Sequence, residues 1–205
     1  RYDGFGNEVS MFGEWLITSS PGDTSLAENS GKVFVYRYND PDWDLTQTLK
    51  PASLVTDDMF GFKVGMDSTH IYALTESVNQ VKIYIYAYDE LTWQEDTMIS
   101  ISMENLDSWD WSLEDFEVYG GKIFVGLSSK NSKGHFSEIR ILEKKGTWNY
   151  DTILVNESLW MMDLDVDSTG LFAGKGTNEG LIYHYIRDGH SYHLQSPISS
   201  IGGDH

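Results

Sequence analysis

One pattern, written four times, constrains this chain more than any other feature. Tyr36, Tyr86, Ile141 and Tyr185 are each followed seven residues later by a large aromatic: Trp43, Trp93, Trp148 and Tyr192. Six residues beyond each of these stands an aliphatic residue: Leu49, Ile99, Leu154 and Ile198. Turn formers lie between, at Asn39-Asp40-Pro41, Asp89-Glu90, Lys145-Gly146 and Asp188-Gly189. Before the first turn, β-branched and aromatic residues alternate, as in Val33-Phe34-Val35-Tyr36-Arg37-Tyr38 and Ile83-Tyr84-Ile85-Tyr86-Ala87-Tyr88. Alternation with period two marks half-buried strands, so each copy holds a hairpin whose second strand opens on an aromatic.

A second strand pair precedes each hairpin. Its later members are Trp15-Leu16-Ile17-Thr18, Ile71-Tyr72-Ala73-Leu74, Ile123-Phe124-Val125-Gly126 and Leu171-Phe172-Ala173-Gly174, and its earlier members run through Val9, Val64, Val118 and Val166. Four strands per copy, repeating at about 51 residues, are the signature of β-propeller blades. The expected fold is all-β: one domain over residues 1–205, with four-stranded antiparallel blades at about 3–56, 57–110, 111–161 and 162–205. These four blades either close a ring themselves or form part of a larger one. A single such sheet buries only one face, so radial stacking accounts for the 14% aromatic content without a ligand.

Residues Asp3-Gly4-Phe5-Gly6-Asn7-Glu8-Val9, then Trp15-Leu16-Ile17-Thr18, Pro21-Gly22-Asp23 and Gly31 to Tyr36, resemble the FG-GAP repeat family. Asp58-Met59-Phe60-Gly61-Phe62-Lys63-Val64 repeats the motif. The later copies carry Phe116-Glu117-Val118 and Leu164-Asp165-Val166 in its place. The resemblance implies a propeller, extracellular, on a cell surface or in an organelle lumen, that binds proteins or glycans. Integrin-type members hold calcium in an Asp-rich loop of the first hairpin. The matching turns here are short and hold at most one carboxylate each, so the resemblance is to the calcium-loop-free variety. Gly203-Asp204-His205 stands where a fifth copy would begin, which suggests that the natural polypeptide continues.

The formal charge is −18, from 32 acidic and 14 basic residues, and repels phosphate backbones and anionic lipid. Nucleic acid is therefore not an expected partner. No apolar run is long enough for a spanning helix, so membrane insertion is not expected either. The absence of cysteine removes disulfides and thiolate chemistry. Asn156-Glu157-Ser158 is a glycosylation sequon.

Three kinds of site compete. Trp109, Trp111 and Trp160, in the connections between copies, form a candidate binding patch for a protein or a sugar, or else wedge between blades. Asp40, Asp42 and Asp44, and Asp163, Asp165 and Asp167, alternate as cation ligands could. The first set reads as turn residues, and the second as the solvated side of a strand whose Leu164 and Val166 face the core. His184, His190 and His193 lack the common face a metal needs. No metal, cofactor or catalytic residue is therefore expected. The leading expectation is a non-enzymatic module that binds a protein partner within a larger assembly. The alternatives are a glycan-binding lectin and a propeller hydrolase or lyase. The last requires carboxylates with shifted proton affinity, clustered at the axis in the central channel, and an axis lined by aliphatic residues rules against it.

Overall fold

A computed structural model describes residues 3–77, 80–103, 110–131, 134–156, 161–175, 180–189 and 191–199. All regular structure among them is β-strand, arranged as four antiparallel sheets, each with four strands in chain order and the last with a short fifth strand. The chain forms two compact units, Arg1–Asn105 and Leu106–His205, each carrying two sheets.

In the first unit, β1 (Val9–Phe12), β2 (Trp15–Ser20), β3 (Lys32–Asn39) and β4 (Asp42–Leu49) form one sheet. The second consists of β5 (Lys63–Met66), β6 (His70–Ser77), β7 (Gln80–Tyr88) and β8 (Trp93–Ser102). Opposed residues share a face, so register separates the two sides of each sheet. Ile17 lies opposite Val35, and Val33 opposite Leu49, which makes one side of the first sheet aliphatic. Met11, Leu16, Tyr36 and Leu45 lie in one row on the other side, with Tyr38 opposite Trp43. The aliphatic side packs onto Ile71, Ala73, Tyr84, Tyr86 and Trp93 of the second sheet. Trp15 and Trp93 meet edge to face with ring centroids 5.5 Å apart. The far side of the second sheet, with Leu74, Ile83, Ile85 and Ile101, is also fully buried.

Phe60 and Gly61 join the two sheets. Phe60 is fully buried and meets the Tyr84 ring edge to face at 5.3 Å. Gly31 has φ +82°, and a Cβ there would stand 2.2 Å from the Phe60 carbonyl oxygen. Gly61 has φ +87°, and a Cβ there would stand 2.8 Å from Ser19 Cβ. The Phe-Gly pair therefore provides a buried ring and a close backbone approach that other residues would obstruct.

The second unit repeats the plan. One sheet is β9 (Asp110–Tyr119), β10 (Lys122–Asn131), β11 (Gly134–Lys145) and β12 (Thr147–Asn156). The other is β13 (Met161–Val166), β14 (Gly170–Lys175), β15 (Leu181–Asp188) and β16 (Ser191–Leu194), with β17 (Ile198–Ser199) beside β15. Phe124, Ile139 and Ile141 pack onto Leu164, Leu171, Ala173, Tyr183 and Tyr185. In both units, then, the aliphatic side of the leading sheet covers the Tyr-rich side of the following one.

Each of the four aromatics stands at the start of the fourth strand of its sheet. Two residues beyond it the chain lies opposite Tyr36, Tyr86, Leu142 or Tyr185. The third copy departs from the sequence reading: Leu142, not Ile141, occupies the column, because its turn is one residue shorter. A bulge follows in three copies, at the position of Thr46, Asp96 and Asp151, between the aromatic and the aliphatic residue beyond it. Two tight turns also repeat. The Asp67 carboxylate accepts the Thr69 amide at 2.7 Å and the His70 amide at 2.8 Å. The Asp167 carboxylate accepts the Thr169 amide at 2.6 Å and the Gly170 amide at 3.2 Å.

Candidate acidic site on the edge strands

An ionisable residue stands directly before the valine of each sheet's first strand. These residues are Glu8, Lys63, Glu117 and Asp165, before Val9, Val64, Val118 and Val166. In the first unit the pair has opposite signs, and Lys63 Nζ lies 3.1 Å from Glu8 Oε1. In the second unit both members are carboxylates, on the adjacent strands β9 and β13. Two residues earlier stand Asp115 and Asp163, where the first unit has Gly6 and Gly61.

Local structure permits this replacement. Gly6 and Gly61 have φ +84° and +87°, which carboxylate residues adopt only with strain. In the second unit the chain instead bulges one residue earlier, at Glu114 and Met162, and Asp115 and Asp163 fall within extended strand. Ser112 and Ser128 both donate hydroxyl hydrogen bonds to the Glu114 carboxylate. The Leu164 amide donates to Asp115 Oδ2 at 2.7 Å and ties β13 to β9.

Glu117 lies opposite Phe124, on the side of its sheet that meets β13 and β14. Burial first, and then the neighbouring charges of Asp115, Asp165 and Asp163, together push its carboxyl up from 4.5 to about 7, with a backbone hydrogen bond at Val118 partly offsetting them. Near neutral pH this group is therefore poised to take up or release a proton beside three other carboxyl groups. Asp167 plays no part in this, because its hydrogen bonds with Thr169 hold its carboxyl below the usual range.

The sequence candidates fare unevenly. Trp109 and Trp160 lie outside the described residues. Trp111 is half-buried near the start of β9, opposite Ser129. Asn156 ends β12 opposite Ser137, and the rest of its sequon lies outside the described residues. Asp40 accepts the Tyr38 hydroxyl at 3.0 Å and Asp44 accepts the Asn39 amide at 2.9 Å, both on exposed turn residues. His184 stacks on Phe172 with centroids 4.2 Å apart, and His190 is outside the described residues. Among the described residues no group of three or more His, Asp or Glu side chains is arranged to hold a metal ion. Glu117 and Asp115 were not singled out from the sequence. The signal that finds them is the column before the valines, once Lys63 is seen to have no counterpart in the second unit.

No family model matches the chain and no curated protein is similar to it, so the FG-GAP resemblance rests on the residues that suggested it. Solved structures are similar. A candidate 6-phosphogluconolactonase from Bacteroides uniformis superposes with a TM-score of 0.62 at 11% identity, over 94% of this chain and 54% of its own. A second, from Bacteroides fragilis, has a TM-score of 0.47 at 8% identity, over 93% of this chain and 69% of its own. The chain thus spans about half the length of the Bacteroides uniformis protein, with which it shares a fold. The expectation of a non-enzymatic protein-binding scaffold is corrected by this comparison, because the protein that shares the fold is described as an enzyme. The four carboxylates come from two different repeats, so no contiguous motif marks them in the sequence.

Proposed function

We propose that this chain is the catalytic part of a hydrolase built on a β-propeller, whose blades are its four sheets. The reaction assigned to it is the opening of a lactone. The observation that carries this reading is the Glu117 carboxyl, raised to about 7 beside Asp115, Asp163 and Asp165. The described enzyme fold supports it. Ionised Glu117 takes a proton from water as the water oxygen attacks the lactone carbonyl carbon. When the tetrahedral intermediate collapses, the ring C–O bond breaks and the protonated Glu117 returns its proton to the departing oxygen. One hydroxy acid forms from one lactone and one water, and the carboxyl is regenerated.

Charge selects among substrates. The similar solved proteins are named for a phosphorylated lactone, but four carboxyl groups and a net charge of −18 oppose a phosphate. An uncharged sugar lactone fits this cluster better. The test is hydrolysis of glucono-δ-lactone, followed by acid release against the buffer rate, for the wild type and Glu117→Gln. The expected result is turnover that rises with pH to a midpoint near 7 and falls about 100-fold or more in the variant. Equal rates in the two proteins, or none above buffer, would refute the reading.

A further inference from the structure

The four carboxyl groups of the acidic site repel one another, yet they stand on two neighbouring strands, β9 and β13. A contact that holds these strands together must oppose that repulsion. One of the four supplies it. Asp115 Oδ2 accepts the Leu164 amide at 2.7 Å, across 49 residues of sequence. Leu164 stands between Asp163 and Asp165, and its side chain is buried in the cluster with Phe124, Ile139 and Ile141. The backbone between the two aspartates is thus fixed twice, by a side chain in the core and by an amide on Asp115. Asp115 is itself held in place. It follows the bulged residue Glu114, whose carboxylate accepts the hydroxyls of Ser112 and Ser128, a directly opposed pair. Across from Asp115 lies Gly126, which has no side chain to crowd the carboxylate.

The first unit ties the same position without a charge. Phe62 stands directly before Lys63, as Leu164 stands before Asp165, and the Phe62 carbonyl accepts the Asn7 side-chain amide at 3.4 Å. The Glu8–Lys63 ion pair adds attraction there. In the second unit Glu117 and Asp165 replace that ion pair with repulsion, and the tie is now made to a carboxylate, a stronger acceptor than a neutral group. We infer that Asp115 is a positioning residue: it holds β13 against β9 and so keeps the Asp163 and Asp165 carboxyls beside Glu117. Its catalytic meaning rests on the hydrolase reading, since these carboxyls help set the proton affinity of the proposed base. The other titratable groups on this side are Lys122 of β10, 3.6 Å from Glu143 of β11, and Tyr119 of β9, with Tyr183 and Tyr185 of β15 facing them from the last sheet. The substitutions below leave all of these in place.

Two variants separate charge from position. Asp115→Asn keeps an oxygen acceptor for the Leu164 amide and removes the charge, whereas Asp115→Ala removes both. Hydrogen exchange followed by NMR is expected to show the Leu164 amide equally protected in the wild type and Asp115→Asn, and about 10-fold or more less protected in Asp115→Ala. Carbon-13 NMR of the Glu117 carboxyl is expected to give midpoints in a fixed order. The wild type lies near 7, Asp115→Asn lies lower through loss of one neighbouring charge, and Asp115→Ala lies lowest because Asp163 and Asp165 withdraw as well. Equal midpoints in the two variants, or unaltered Leu164 exchange in Asp115→Ala, would mean that Asp115 acts through its charge alone and would overturn the inference. If Asp115→Ala does not fold, the wild type decides. Its Leu164 amide proton resonance is expected to move as the Asp115 carboxyl titrates, and a resonance that ignores this titration overturns the inference. None of these measurements reads turnover. Absence of lactone hydrolysis with the order of midpoints intact removes only the hydrolase reading, and hydrolysis with that order lost removes only the positioning role.

Discussion

Replacing Glu117 with Gln tests the acidic site through stability alone, without a substrate. The carboxyl moves from 4.5 to about 7 on folding. At 1.36 kcal/mol per unit this corresponds to about 3 kcal/mol between its two charge states. The group is only partly withdrawn from water, so screening reduces the effect to about 1–2 kcal/mol. The sign follows from linkage. The folded state holds the proton more tightly than the unfolded state, so the stabilising contribution is complete below about 4.5 and is lost as pH rises through about 7. Glutamine keeps the shape and never ionises. The variant should therefore match the wild type near pH 4 and exceed it by about 1–2 kcal/mol near pH 8. Urea unfolding at a series of pH values measures the difference, and carbon-13 NMR of the Glu117 carboxyl reports its midpoint directly. Parallel stability profiles, or a carboxyl midpoint below about 5, would refute the argument that burial and Asp115, Asp163 and Asp165 act together on this group.

Three further outcomes test the packing. Gly61→Ala should cost about 2–4 kcal/mol in thermal unfolding, from the positive φ and the clash with Ser19 and Val33. Gly13→Ala, at φ +58° with open space around it, should cost only about 1 kcal/mol; equal effects would remove the case for a close approach at Phe60-Gly61. Trp93→Ala should cost about 3–5 kcal/mol by urea titration, whereas Trp43→Ala, at the same repeat position but uncovered, should cost about 1 kcal/mol in dilute protein. Lys82→Met should lower Tm by roughly 6–20 °C, because it strips Asp58, 1% exposed, of an ammonium 3.2 Å away and strands a buried charge.

The fold was legible because its signal is repeated. Any single copy of the aromatic spacing would be weak, but Trp43, Trp93, Trp148 and Tyr192 all fall at the start of a fourth strand. The register of the third copy was misread by one residue because Ile141 and Leu142 are adjacent aliphatics and the shorter Lys145-Gly146 turn is invisible to spacing alone. Sequence also located the strand alternation but not its exposure. Phe34-Tyr36-Tyr38 and Tyr84-Tyr86-Tyr88 read alike, yet only the second set is covered, since burial depends on which sheet follows which.

The site was harder to read for a related reason. A repeat makes equivalent positions look like structure, and residues that break the repeat carry the information about function. At the position before the valine, Glu8 and Lys63 form an ion pair and neutralise each other. Glu117 and Asp165 do not, and Asp115 and Asp163 add charge where the first unit needs glycine to bring its sheets together. The second unit gives up the Phe-Gly contact and takes on repulsion among carboxyls instead. A sequence selected for stability alone would restore a lysine at Glu117 or Asp165. This destabilised acidic group, where an ion pair is the repeat's own alternative, is what supports the hydrolase reading proposed above.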